Sequence, residues 1–370
     1  MSVTVRAIVD ALEAWAPPAF AYDWDRPGLS VGSPDRRVSR VLVCLTPCRE
    51  ALEKARQLRA QFMVSHHPLI HEPLKHLRSD DPHARLCIDI ARANIAVFSA
   101  HTNLDVAPGG VSHVLAERLH LRQTRPLLPA PHAAQVKLVT FVPESHLRRV
   151  RDAVCAAGAG IIGDYTHCSF SAPGTGTFLP GEKASPFSGK KQQINEEPEM
   201  RFETIVTKAR LDDALRALRA THPYEEAAFD IVRLDNLDPA VGLGVRGTLE
   251  TPMPLGDFAA MAAKALGVSH VRIVGKPARR VRSVAVLGGS GGGEISRIPA
   301  DIDVYVTGDV NYHQACAAHA RGLAVIDAGH AGTEACIVPV IAAYLRGHFP
   351  GIAVHTWREP ERFQVADLRK

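Results

Sequence analysis

The sequence lacks three features that would each indicate a particular class of protein. No apolar run in its 370 residues is long enough to span a bilayer, which argues against a membrane protein. Its seven cysteines are odd in number and include no Cys-x-x-Cys pair, a pattern typical of reduced thiols and not of a disulfide framework. The formal net charge of +4 is too small over this length to indicate nucleic acid as a partner.

The beginning of the sequence also lacks the signs of a secretory signal. Residues 1–18, MSVTVRAIVDALEAWAPP, contain neither a basic stretch ahead of an apolar one nor a small-residue cleavage site. The spacing of Val5, Ile8, Val9 and Leu12 instead predicts an amphipathic helix. Together with the cysteine pattern, this predicts a soluble, cytoplasmic protein.

Histidine is abundant in an otherwise ordinary globular composition. The sequence has 18 histidines, and it is 46% hydrophobic and 22% charged, with ample length for two domains. Several histidines follow apolar runs. In FMVSHHPLIH, residues 62–71, the pair His66 and His67 ends a predicted strand and precedes a proline. This use of adjacent histidines makes the segment a candidate functional site.

Residues 1–129 alternate predicted strands with predicted amphipathic helices. The strands are VSRVLVCL, QFMVSHH and IAVFSAH, and the helices are REALEKARQLRA, DPHARLCIDIARAN and VSHVLAERLH. Residues 241–370 return to this pattern, with strands VRSVAVL, IDVYVTGD and LAVIDAGH. The alternation predicts an α/β core of two similar halves with parallel-rich sheets. A weak likeness between the halves is compatible with an internal duplication.

Residues 130–240 have a different pattern, which predicts an inserted domain. QVKLVTFVPES and MRFETIVTK are predicted strands, and HLRRVRDAVCAAG and LDDALRALRATH are predicted helices. A segment rich in Gly, Pro, Ser and charge lies between the two βα pairs and is expected to be a long loop or hairpin. This order predicts a ferredoxin-like α+β module.

Three segments place metal-binding residue types directly after predicted strands. Ligands of α/β sheets bind at the carboxyl ends of strands, and imidazole with carboxylate is a ligand set for Zn, Mn, Fe, Co or Ni. A single histidine at a strand end is usually a hydrogen-bonded polar residue, but three such clusters together favour a metal site. The candidate residues are His66, His67, His101, Asp105, His330 and Glu334.

The spacing of these residues favours two metal ions over one. Neighbouring side chains of an extended strand point to opposite faces, so His66 and His67 are expected to reach different ions. Asp105 and Glu334 each follow a histidine by four residues, and either carboxylate could bridge two ions. Two divalent ions carry more charge than two carboxylates balance, so a hydroxide or an anionic ligand such as phosphate is expected as well.

Other polar segments have both a functional and a structural interpretation. The loop LGGSGGGEI could cradle an anion with its backbone N–H groups, or it could be a tight turn. In TGDVNYH, Asp309, Tyr312 and His313 could act as general acid or base or orient a substrate. Equally, Asp309 could cap a helix and His313 could serve in polar packing. For THPYEEAAFD and DWDRPG we favour turns over a second metal site and over a functional role of Asp23 and Asp25.

Six segments resemble, in order, the signature blocks of one family. They are YDWDRPGLSVG, SHHPLI, SAHTNLDVAPGG, GGSGGGEI, TGDVNYH and DAGHAGTE. The family consists of hexameric dinuclear-metal proteins labelled GTP cyclohydrolase I type 2 homologue, or NGG-interacting-factor-three-like. The resemblance covers nearly the whole chain outside the insert. Within the insert, AGAGIIGDYTHCSF, GTGTFLPGE and HPYEEAAFDIVRL resemble the CutA-like or PII-like domain of the longer members.

The resemblance implies which residues bind the two ions. His66 and His67 would bind different ions, Asp105 would join the ion of His67, His330 would join the ion of His66, and Glu334 would bridge.

Two further positions are compared with the family in the same way. His101 matches a family histidine that lies beside the site or ligates occasionally. The family commonly has an aspartate where this chain has Thr46, which puts one local hydrogen bond in question.

The resemblance also implies a toroidal homohexamer whose metal sites face an internal cavity, with two divalent ions per chain and a small, anionic ligand. One function is that of a metal-dependent hydrolase acting on a nucleotide or phosphorylated small molecule, with His101 and His313 as candidate catalytic residues. GTP ring opening is implied by the family label alone. The alternative is a non-catalytic, ring-shaped regulatory protein whose insert senses a ligand. Open coordination positions favour the hydrolase.

Overall fold

A computed structural model describes residues 2–130 and 133–363 of the chain. The chain forms two compact units, one of Met1–Pro129 with Gly242–Lys370 and one of Ala130–Val241. We call them the core unit and the insert. The predicted boundary at 240/241 falls one residue earlier than the boundary between the units. That the two units fold independently stays a prediction.

The first segment of the core unit begins with a short strand and a capped helix. The Thr4 side chain accepts a hydrogen bond from the Ala7 N–H, and Val5, Ile8 and Leu12 are buried, as the predicted amphipathic helix requires. The elements of this segment are β1 Val3–Thr4, α1 Val5–Trp15, β2 Gly28–Val31, β3 Arg37–Val38, β4 Arg40–Cys44, α2 Arg49–Gln57, β5 Phe62–Ser65, α3 Pro82–Arg92, β6 Ala96–Ser99, α4 Thr102–Val106, α5 Val111–Arg118 and β7 Arg122–Pro129.

The second segment of the core unit repeats the alternation of strands and helices. Its elements are β12 Gly242–Pro254, α8 Leu255–Leu266, β13 Arg272–Val274, β14 Arg280–Val286, β15 Val304–Thr307, α9 Tyr312–Ala320, β16 Ala324–Asp327, α10 His330–Glu334, α11 Ile337–His348 and β17 Ala353–Thr356.

Each large sheet of the core unit is built around three parallel strands. One has the order β17-β4-β5-β6-β2 and the other β13-β16-β15-β14-β12-β7. Strands β4, β5 and β6 run parallel, as do β14, β15 and β16. All residues of β5, β6, β15 and β16 are buried, which explains their continuous apolar sequences. The expected α/β core of two similar halves is therefore confirmed.

The two segments also exchange strands, which sequence analysis does not predict. Strand β7 of the first segment pairs with β12, and β17 at the end of the chain pairs in parallel with β4. The sequence of β7, RQTRPLLP, contains two prolines, and β17 has only four residues. Prolines and short length weaken the strand pattern, so neither element is evident from the sequence.

The insert has the predicted ferredoxin-like arrangement. Its elements are β8 Ala134–Val142, α6 Glu144–Ala156, β9 Ser169–Phe178, β10 Asn195–Thr207, α7 Leu211–Thr221 and β11 Phe229–Leu237. The antiparallel sheet has the order β11-β8-β10-β9. The predicted loop or hairpin is a hairpin, because β9 and β10 pair from Asn195↔Phe178 to Thr204↔Ser169. In the described ranges, no helix is both long and apolar enough to cross a membrane.

Candidate metal centre

His66 follows strand β5 directly and is completely buried. Its Nδ1 atom lies 2.8 Å from the carbonyl oxygen of Ala100, which follows the neighbouring strand β6. Because a carbonyl only accepts, Nδ1 carries the proton and donates it. A hydrogen bond from one ring nitrogen fixes the ring and directs the other as a ligand. Nε2 of His66 is therefore the atom that faces the centre.

His67 is held by contacts with Leu45, Thr46 and Glu334. Its backbone N–H donates to the Leu45 carbonyl at 2.9 Å, and its Nδ1 lies 2.8 Å from Oγ1 of Thr46. Its Nε2 lies 2.8 Å from Oε2 of Glu334. The departure of Thr46 from the family pattern thus leaves a hydrogen bond to His67 in place.

The Glu334 carboxylate lies between the histidines. Its Oε1 is 3.6 Å from Nε2 of His66, and its Oε2 accepts from His67 and lies 3.1 Å from Nε2 of His330. Gly289 makes room for this carboxylate, since a Cβ at that position would overlap Oε1 and its φ is +69°. The predicted Gly-rich loop therefore contacts the centre through a glycine that has no room for a side chain.

His330 begins helix α10, which ends at Glu334. Its Nδ1 lies 2.7 Å from Oδ2 of Asp309, so the carboxylate orients the ring and Nε2 points at Glu334. Asp309 has a left-handed backbone with φ of 55° and does not cap helix α9, whose N-cap is Asn311. The capping interpretation of Asp309 is therefore wrong, and its side chain instead supports a candidate ligand.

Two buried polar atoms of the centre have no hydrogen-bond partner. They are Nε2 of His66 and Oδ1 of Asp105, which lie 3.7 Å apart. Buried polar atoms without partners are costly, and an ion, water or other group usually satisfies them. Potential ligand atoms of His66, His67 and Glu334 all lie within 4.8 Å of one another. This donor set of imidazoles and carboxylates fits a divalent transition metal.

The shortest distances between the candidate ligands do not follow the pairs that the resemblance implies. Asp105 lies beside His66, whereas His67 and His330 share Oε2 of Glu334. The implied pairs, Asp105 with His67 and His330 with His66, are not the nearest neighbours here, and which residues share an ion stays a prediction. The reason for these distances is the direction of the two rings: Nδ1 of His66 is bound to the residue after β6, on the side of α4, while His67 turns toward α10.

His101 lies beside the centre and is joined to Asp25. Its Nδ1 is 3.0 Å from Oδ2 of Asp25, and its ring centroid is 5.4 Å from that of His66. Asp25 is buried and accepts from both the N–H and the hydroxyl of Thr102, at 3.1 and 2.6 Å. The favoured interpretation of Asp25 as a turn residue is therefore incomplete, because it also connects two distant segments.

Electrostatics within the metal-free centre follow from burial and close charges. Burial lowers the pKa of His66, but Glu334 and Asp105 outweigh it and raise the value to about 9. Hydrogen bonding to Glu334 raises the pKa of His330 to about 9 as well. Burial lowers the pKa of His67 and raises that of Asp105 to about 6. For Glu334, burial is outweighed by the surrounding histidines, and its pKa is well below the ordinary value.

Comparison with known proteins shows the family of this chain. A family model described as Duf34/NIF3 (NGG1p interacting factor 3) matches residues 3–360. The chain belongs to the DUF34/NIF3 family. A Bacillus subtilis protein named GTP cyclohydrolase 1 type 2 homolog is 39% identical over 330 residues, covering 89% of this chain and 88% of that protein. A Mycobacterium tuberculosis protein of the same name is 38% identical over 355 residues, with coverage of 94% and 93%.

Solved structures show the same architecture. A Bacillus cereus protein related to NIF3 superimposes with a TM-score of 0.85 and 36% identity, covering 98% of this NIF3-family chain and 99% of the other. The Staphylococcus aureus protein SA1388 gives a TM-score of 0.75 at 25% identity, with coverage of 98% and 99%.

Other predicted residues of this NIF3-family chain lie in different environments. His313 is exposed on helix α9, where its ring packs against Tyr312. In the HPYEE segment of the insert, His222 contacts the Phe141 carbonyl at 3.0 Å, and the Tyr224 hydroxyl donates to Glu199 at 2.7 Å. These bonds fit the favoured interpretation of the HPYEE segment as a turn.

Sequence reasoning missed three residues that support the histidines, namely Asp25, Thr46 and Asp309 as hydrogen-bonding partners. The sequence indicates these residues only by their position, because all three lie in polar turns directly after or beside the strands that carry the ligands.

Proposed function

We propose that this protein is a dinuclear metal-dependent hydrolase that acts on a nucleotide or a phosphorylated small molecule. The observation that carries the proposal is the position of the buried Glu334 carboxylate, whose two oxygens face His66 on one side and His67 with His330 on the other. A carboxylate shared in this way is suited to bridging two ions.

The five ligand residues would divide between two divalent ions, drawn from Zn, Mn, Fe, Co or Ni. His66 and Asp105 would hold one ion, His67 and His330 would hold the other, and Glu334 would serve both. Two such ions supply Lewis acidity and lower the pKa of water, the chemistry that hydrolysis of a phosphoester or a purine ring requires. The five residues provide too few ligand atoms to close both coordination shells, which favours catalysis over a purely structural role.

His101 is the residue best placed to move a proton in this reaction. Burial opposes ionisation of Asp25, but hydrogen bonds from His101 and Thr102 outweigh it and hold the pKa of Asp25 below its ordinary range. The Asp25 carboxylate therefore stays ionised 3.0 Å from Nδ1 of His101 and orients the imidazole for proton exchange. His313 remains a second candidate, with its exposed side chain on α9.

An anionic substrate suits the charge of this centre. Asp105 and Glu334 supply two negative charges against the four positive charges of two divalent ions, so a phosphate group would complete the balance. The name of the relatives makes GTP one compound to test. No segment of this chain gives a guanine-specific pattern, and phosphoesters in general are therefore equally appropriate substrates.

A regulatory function is the second candidate. The insert forms a compact unit of its own, as a ligand-sensing domain would. In that case metal-loaded protein would bind an anionic ligand without converting it. Product formation by the loaded protein, absent in a Glu334 variant, separates the two functions.

We also propose that the chain assembles as a toroidal homohexamer in the cytoplasm. The resemblance to hexameric relatives supports the assembly. All seven cysteines lie in the described ranges and are free thiols, which fits a reducing compartment. Light scattering coupled to gel filtration tests the assembly, and a mass of one chain would contradict it.

The direct test of activity is a screen of metal-reconstituted protein against nucleotides and phosphoesters. Glu334→Gln is the matched control, because it keeps the shape of the side chain and removes its charge. We expect turnover by the wild type with at least one phosphorylated compound and none by the variant. Equal rates for both proteins would contradict the proposed function.

A further inference from the structure

Trp24 is an exposed aromatic residue beside the metal centre. Its exposed fraction is 58%, although tryptophan is one of the most apolar side chains. Its ring lies 5.8 Å from that of His71 and 6.1 Å from that of His101, both in edge-to-face geometry. The same His101 ring lies 5.4 Å from the ring of His66. A single imidazole therefore separates the indole from the candidate ligands.

The position of Trp24 is fixed by its neighbours. The indole stacks on Tyr22 with an interplanar angle of 6° and centroids 5.9 Å apart. The Asp25 N–H donates to the Tyr22 carbonyl at 2.9 Å, and the Tyr22 N–H donates to the Thr102 hydroxyl at 3.1 Å. These bonds tie the loop to the start of helix α4. An exposed ring that is held in one orientation is suited to binding another ring.

The loop that contains Trp24 and the metal centre are held in place by some of the same residues. Asp25 contacts Thr102 and also His101, and helix α4, which begins at Thr102, carries the candidate ligand Asp105. Displacement of the indole would therefore involve residues of the centre.

We propose that Trp24 stacks on a planar aromatic ring of the substrate while the phosphate of the same molecule binds at the metal centre. The inference rests on the proposed function and narrows its substrate class to phosphate esters that carry an aromatic ring, of which nucleotides are the main biological example. Aromatic side chains bind bases by their faces, whatever the base, so Trp24 selects for a ring and not for guanine in particular.

Binding measurements with metal-loaded protein test this proposal. Isothermal titration compares adenosine monophosphate, phenyl phosphate and ribose 5-phosphate, which carry a base, a simple aromatic ring and no ring, respectively. We expect Trp24→Ala to weaken the binding of adenosine monophosphate about ten-fold or more and to leave the affinity for ribose 5-phosphate nearly unchanged. Trp24→Phe keeps a stacking face and should retain most of the affinity. The affinity of Trp24→Ala for phenyl phosphate shows whether Trp24 binds any aromatic ring or only a base.

Two controls separate the possible failures. Trp15→Phe alters a tryptophan that stacks on Tyr344 and donates to the Pro108 carbonyl, and it should change none of the three affinities. Metal content should be the same in all variants. Equal affinity of the wild type and Trp24→Ala for adenosine monophosphate overturns the inference while leaving the hydrolase proposal in place. Failure of all three phosphates to bind loaded wild-type protein counts against the proposed function itself.

A second copy of the chain is the other occupant that could cover Trp24. If Trp24→Ala changes the mass in light scattering but not the affinity for adenosine monophosphate, the residue serves assembly and the substrate proposal is wrong.

Discussion

Nε2 of His67 lies 2.8 Å from Oε2 of Glu334, although 267 residues separate them in the sequence. The adjacent residue, His66, faces the other oxygen of the same carboxylate at 3.6 Å. Two adjacent histidines thus face different oxygen atoms of one carboxylate. This relationship is what a bridging carboxylate between two ions requires, and it leads to the expectations below.

Loss of either residue should remove metal without unfolding the chain. His67→Ala deletes one ligand, and Glu334→Gln removes the charge that both proposed ions share. We expect metal content to fall to near zero, with the circular dichroism spectrum of the wild type preserved. Glu117→Gln, an exposed position on helix α5, is the control and should keep its metal. Full metal occupancy in both ligand variants would show that the assignment is wrong.

Metal binding should release protons near neutral pH. The pKa of His66 and that of His330 are each about 9 in the metal-free protein, so both rings are charged at pH 7. Ligation requires neutral imidazole, so loading should release about two protons per chain at pH 7 and fewer as the pH rises through 9. Titration calorimetry in buffers of different ionisation enthalpy measures this number. Release of none at pH 7 would contradict the stated electrostatics.

For the same reason, metal affinity should fall as the pH falls below about 9, because protons then compete for the imidazoles of His66 and His330. Near pH 6 Asp105, with a pKa of about 6, becomes neutral as well. Competition with a chelator of known affinity at pH 5.5, 7 and 8.5 follows the trend. An affinity independent of pH over this range would be inconsistent with histidine ligands.

The Thr46 hydroxyl should contribute to metal affinity through His67. Burial lowers the pKa of His67, so its ring is neutral. Nε2 carries the proton and donates it to Oε2 of Glu334, and Nδ1 accepts a hydrogen bond from the Thr46 hydroxyl. A metal on Nε2 requires the ring proton to be on Nδ1. The Thr46 hydroxyl, which donated a hydrogen bond to Nδ1, can then accept one from it. Thr46→Val should weaken metal binding about ten-fold, whereas Thr46→Ser should not. Equal affinities in chelator competition would exclude this role.

The ligand residues could be predicted from the sequence because their types and places are local features. His66, His67 and Glu334 each lie at or shortly after the end of a strand, where parallel sheets bind ligands. Which of these side chains lie closest together could not be predicted, because it depends on the hydrogen bond from His66 to Ala100 and on the approach of helix α10. The sequence favours only a turn for Asp25, because its partner Thr102 lies 77 positions away.

The fold shows the same division between local and distant information. Short apolar runs predict the buried parallel strands of both halves and the ferredoxin-like order of the insert. The exchanged strands β7 and β17 have weak patterns of their own, and only their pairing with β12 and β4 makes them strands.

Removal of the insert should leave a folded, metal-binding core unit. Pro129 and Gly242 are paired in neighbouring antiparallel strands, so the ends of the core chain lie about 5 Å apart at the point of insertion. An Asn-Gly turn can therefore replace residues 130–241 as a two-residue hairpin loop. We expect soluble protein with cooperative thermal unfolding and wild-type metal content per chain. An insoluble or unfolded product would show that the core unit depends on the insert.

Metal analysis of the purified wild-type chain tests the central claim most directly. The protein is purified without chelators, and its metal content is measured by inductively coupled plasma mass spectrometry against protein concentration. We expect about two divalent transition-metal ions per chain, held by Glu334 and the four other candidate ligands around it. Protein that contains no metal, and takes up none when Zn, Mn, Fe, Co or Ni is supplied, would contradict it.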